Sequence, residues 1–135
     1  MDTLRYFLAL IAASVAMSFS DWYFMGVLFH DKYLAHPEVW RRPEGGKGES
    51  LAVAWSTLLG VATAAVFLWL CAWLGLAGSA SALGLAFGIW LLAPLPLIVT
   101  NALFIKIHFL NTLALALGWL MRLLICALAA WLILR

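Results

Sequence analysis

Four long apolar runs, at about 4–29, 51–76, 83–104 and 111–134, dominate the chain, and a polar stretch at 30–50 separates the first two. Each run can cross a bilayer as a helix, because about 20 residues rising 1.5 Å apiece span an apolar core of roughly 30 Å. The pattern predicts an all-α fold: an integral membrane four-helix transmembrane bundle forming a single domain over residues 1–135. The first run contains Ser14-Val15-Ala16, a small-x-small pattern that also occurs at leader cleavage sites. Its hydrophobicity resumes at Trp22 and continues to Phe29, which favours a tilted span.

Polar positions inside the runs carry the functional information. Arg122 stands near the middle of the last run. An arginine at that depth costs at least about 2.5 kcal/mol on insertion scales, so it requires a partner, a water-filled cavity or a bundle interior. Ser14, Ser18 and Asp21 recur at i, i+4 and i+7 on one face of the first helix, while Ala9, Ala13 and Ala16 lie on another face that permits close helix approach. The serines can bond back to their own helix. Asp21 has WYFMGVLF beyond it and too short a side chain to snorkel. In the second run Ser56, Gly60 and Thr63 share a face, and Gly60 with Ala64 forms a small-xxx-small pair. The third run carries Gly84 and Gly88 in a GxxxG arrangement, then Pro94 and Pro96, which should interrupt the helix and free carbonyls. Asn101 and His108 follow on one face.

Topology follows from the basic residues. Lys32, Arg41, Arg42, Lys47 and Lys106 fall on one side of the spans, and only Arg5 and Arg135 on the other. Both termini are therefore expected outside the cytoplasm, with the chain in the cell inner membrane. Counting along the helices from the cytoplasmic side puts Asp21 about 12 Å deep, Asn101 about 10 Å from His108 and Arg122 about 16 Å deep. This spacing predicts one polar layer, with Asp21 paired to Arg122 and with Asn101, Thr63, Ser18 and Trp119 as further ligand-binding candidates. Two roles for that pair stay open. It can be a buried salt bridge that fixes helix register, or it can flank a polar cavity open toward the cytoplasmic leaflet where Arg122 receives an anionic head group. Trp22, Tyr23, Trp55 and Trp119 would wall an amphipathic ligand.

Composition narrows the alternatives. The chain is 67% hydrophobic and only 10% charged, which excludes a soluble domain, and a net charge of +2 without a basic patch gives no reason to expect nucleic acid. Cys71 and Cys126 sit in apolar runs without metal or redox spacing and behave as small hydrophobes. His30 and His108 are weak metal candidates, since with His36 they form no HxxxH or CxxCH pattern; no cofactor is implied. The GGKG run at 45–48 reads as a hinge, without the spacing of a phosphate-binding loop. Tyr33, Leu34, Val39 and Trp40 beside Arg41 and Arg42 suggest an interfacial segment. No catalytic residue is indicated, because the intramembrane carboxylate stands alone and the serines lack a base.

The segment SDWYFMGVLFHDKYL, with Trp22, Gly26 and Phe29, and the polar loop after it resemble a family of small four-helix bacterial membrane proteins, domain of unknown function 1761. The resemblance implies a four-helix architecture and an inner-membrane location, and it implies no activity. The expectation is binding or transport of a small anionic or amphipathic molecule at the Asp21, Asn101, Arg122 cluster. The alternative is a non-catalytic accessory subunit, docking through Gly84 and Gly88 against a larger membrane complex or a second copy, with membrane lipids as the other partner.

Overall fold

The computed structural model describes residues 2–31, 47–106 and 108–135, and all regular structure among them is helical. The interfacial segment expected at 33–42 and His36 lie outside the described residues. Helix α1, Thr3–Tyr23, starts where Asp2 caps it, its Oδ1 accepting from the Leu4 N–H at 3.0 Å. Its buried stripe is Ala9, Ala13 and Met17. Asp21 continues that stripe by one more step of four, so it points toward the bundle. Immediately after Asp21 the Phe24 N–H is shared between the carbonyls of Ser20 and Asp21, and the helix widens into a π-helical turn, Phe24–Leu28. The Phe29 N–H closes that turn on the Phe24 carbonyl.

Helix α2, Lys47–Trp73, takes in Lys47 and Gly48, so the second half of the expected hinge is already helical. It ends at a turn in which Gly75 and Gly78 adopt φ of 70° and 73°, conformations that favour glycine. At Gly78 space is also tight: a Cβ there would lie 3.1 Å from the Arg135 Cα, so the end of the chain would have to shift to admit it. The Gly78 N–H donates to the Ala130 carbonyl, pinning the turn to the last helix.

The third apolar run is two helices, α3 (Ser81–Leu92) and α4 (Pro94–Phe104). Both prolines fall in the first turn of α4, where an N–H has no intrahelical use, so they start a helix comfortably and end the preceding one. Neither can donate to the carbonyls of Trp90 and Leu92. Helix α5, Phe109–Ile133, follows, capped by His108, whose Nδ1 accepts from the Leu110 N–H at 3.2 Å.

Four helical stretches, 3–28, 50–73, 81–104 and 109–133, are long and apolar enough to cross a membrane. Helix α5 is their hub, packing against α1, α2, α3 and α4, whereas α2 and α3 share no packed interface. The contacts are made by small side chains. Ala114, Ala116, Ala127, Ala129 and Ala130 of α5 are buried, together with Ala9 and Ala13 of α1, Ala64 of α2, and Ala82 and Ala86 of α3. In lipid, helices gain little from the hydrophobic effect and associate by close van der Waals packing, which alanine allows. Cys71 and Cys126 are free thiols, fully buried in this core, and the Cys126 Sγ lies 3.5 Å from the Met17 Sδ. Arg5 Nη1 donates to the Arg135 carbonyl, so both ends of the chain meet at one end of the bundle.

Candidate functional site

The two charges that fall well inside the long apolar helices meet. Arg122 Nε donates to Asp21 Oδ1 at 2.7 Å and Arg122 Nη2 donates to Asp21 Oδ2 at 2.6 Å, a two-pronged ion pair across the α1–α5 interface. The side chains are 17% and 33% exposed. Trp119, one turn before Arg122, lies beneath the guanidinium with its ring centre 5.2 Å from the Arg122 Cζ. The position is central. Arg122 is 13 residues from the start of α5 and 11 from its end, about 20 Å and 17 Å at 1.5 Å per residue.

A groove of about 880 Å³ runs beside the pair on the side away from α1. Its wall on α2 is the stripe Ala52, Trp55, Ser56, Leu59, Ala62, Thr63, Val66, Phe67 and Leu70, a helical face about 27 Å long at 1.5 Å per residue. Trp119, Arg122 and Leu123 of α5 form the floor, and Ile89 of α3 stands opposite. The groove exists because α2 and α3 do not pack on each other. Residues 50–59 of α2 are exposed throughout, and burial begins only in its second half with Ala64, Phe67, Leu68 and Cys71. Arg122 therefore has two neighbours of different kinds: Asp21 on one side and an open apolar slot on the other. Its Nη1 has no partner among the described residues.

The expected layer is brought together only in part. Asp21, Arg122, Trp119 and Thr63 converge at the pair and the groove. Thr63 lines the slot but spends its hydroxyl on the Leu59 carbonyl, at 2.9 Å. Asn101 does not belong to the cluster. Helix α4 ends at Phe104 and the chain then turns extended at Ile105, so Asn101 sits in the last turn, exposed, with no hydrogen bond to Asp21 or Arg122. The register across α3 and α5 fixes the gap. Trp90 Nε1 donates to the Ala116 carbonyl at 2.8 Å; Arg122 lies six residues from that level in one direction, and Asn101 lies beyond the α3–α4 break in the other. Ser18 is likewise exposed on α1 and outside the groove. The cavity itself differs from the expected polar one: its lining is overwhelmingly apolar, and Asp21 lies behind Arg122.

One polar residue that the spacing did not single out is Asn111. It is 1% exposed, and among the described residues neither its Oδ1 nor its Nδ2 has a hydrogen-bond partner; the buried Thr112 Oγ1 beside it and the Ser14 Oγ are in the same condition. Nothing in the residue pattern marks Asn111, because it falls at a helix start, where asparagine is ordinarily solvated. Among the described residues no group of three or more His, Cys, Asp or Glu is arranged to hold a metal ion. No family model, curated protein or solved structure matches the chain.

Proposed function

We propose that this protein binds, within the inner membrane, an amphipathic molecule that lies along α2 with its polar group against Arg122, and that it carries or presents that molecule without transforming it. The supporting observation is the pairing of an apolar slot about 880 Å³ in volume with an intramembrane arginine at its floor. Ligand sites are mostly apolar clefts with few polar groups, and those few fix orientation. Here Arg122 is that group, Trp55 and Trp119 are the flat walls, and Asp21 holds the guanidinium in place. The distribution of Lys and Arg agrees with an inner-membrane protein whose termini face away from the cytoplasm.

The test is photolabelling of the full chain in detergent with a diazirine-bearing fatty alcohol. The expected result is crosslinks concentrated on residues 52–70 and 119–123 and lost on filling the slot with Ala62→Trp. Labelling spread evenly over every lipid-facing helix surface, unaffected by Ala62→Trp, defeats the reading.

A second reading, an accessory subunit, draws on α3. Gly84 and Gly88 have no atom within 4 Å of the position a Cβ would take, so their face is open to another helix. In-membrane crosslinking through cysteines placed there separates the two readings, because only a docked helix gives one discrete adduct.

A further inference from the structure

The groove also specifies the charge of its occupant. Resting on the binding role proposed above, we infer that the occupant is uncharged: a lipid-soluble molecule bearing a hydrogen-bond-accepting carbonyl, of which a ring-headed, long-tailed quinone is the test case. Two independent features of the site carry this.

The first is charge balance. Asp21 already takes the Nε and Nη2 donors of Arg122, at 2.7 and 2.6 Å, so the pair is neutral as it stands. An anion entering the groove would compete with that carboxylate and leave an uncompensated negative charge in a medium of low dielectric, where such charges are very costly. A neutral carbonyl meets no such penalty, because it needs only a donor. Arg122 retains one in Nη1, which has no partner among the described residues.

The second is depth. Arg122 lies about 20 Å and 17 Å from the two ends of α5, which places it near the middle of an apolar core roughly 30 Å thick. A phospholipid or fatty-acid head group stays at the interface, roughly 15 Å from the midplane by the same thickness, so its charge does not reach Arg122. An uncharged ring with a long apolar tail resides in the core. The Trp119 ring held against the guanidinium, with Trp55 across the slot, offers flat apolar surfaces to such a ring, and the stripe from Ala52 to Leu70 is long enough to lay a tail along.

The experiment is competition for the groove photolabel by molecules of matched chain length: decyl-benzoquinone, decane, and decyl phosphate. The expected order in the wild type is quinone at least tenfold better than decane, and decane better than decyl phosphate. In detergent, where no bilayer holds a charged head group away from Arg122 and charge balance alone decides, Asp21→Asn should reverse the preference, raising decyl phosphate above the quinone, because Arg122 is then an unbalanced cation. Where Asp21→Asn does not fold, Arg122→Met with Asp21→Leu removes both charges and the donor: it should keep the groove label and lose preference for the quinone over decane. Decyl phosphate competing as well as the quinone in the wild type overturns the inference and leaves the groove a binding site. Quinone and decane competing equally also overturns it, because the donor then has no part. Labelling that no competitor displaces and that is not confined to the groove removes the binding role itself.

Discussion

The two halves of the bundle are packed by different means. Toward the termini, α1, α2 and α3 close on α5 through buried alanines, cysteines, Met17, Phe67 and Leu68, and the ends are tied by Arg5 to the Arg135 carbonyl and by the Gly78 N–H to Ala130. Toward the other end, the first part of α2 is exposed, and neither α4 nor the π turn has a buried residue. The Asp21–Arg122 pair sits at the seam. One half holds the helices in place, and the other is left free to be opened or filled. Local stability should differ accordingly.

The largest test of that division is at the seam. Asp21→Asn or Arg122→Gln alone should cost about 3–5 kcal/mol, because each leaves its partner charged and unpaired, whereas the double change should recover most of the loss. Thermal unfolding in detergent of the four proteins measures this, and additive losses would mean that the two residues do not act as a pair. Next, Ala130→Leu in the tight half should cost about 1–3 kcal/mol through overpacking. Ala62→Leu, facing the slot, should stay within about 0.5 kcal/mol. Equal penalties at the two sites would erase the contrast. The smallest effect is at Asn111. Replacing it with leucine removes a buried amide that has no partner, so stability should rise by about 1 kcal/mol or stay level. A clear fall in melting temperature would show that Asn111 holds something in place.

Much of the tight half was legible in the residues. Four helical stretches long and apolar enough to span a bilayer follow from run length, and the break between α3 and α4 follows from Pro94 and Pro96. The Asp21–Arg122 pairing follows from the cost of leaving either charge alone in lipid. Asn101 and Ser18 stand outside the layer that depth counting assigns them. The count for Asn101 starts at His108, but the helix ends at Phe104, as the apolar run does, and this leaves Asn101 in the last turn; Ser18 lies on a face of α1 turned away from the groove. The groove was not legible at all. It comes from the divergence of α2 and α3, a property of how two helices lean on a third, and Ala52, Ala62 and Val66 look no different in sequence from residues that pack.

The π turn after Asp21 gives the first helix two independent settings. A π turn winds one more residue into its loop than an α turn, so the side chains from Phe24 to Leu28 fall out of step with the stripe of Ala9, Ala13, Met17 and Asp21 that faces α5. The register that sets Asp21 on Arg122 therefore places no demand on the identity of the aromatic and aliphatic residues that come after it.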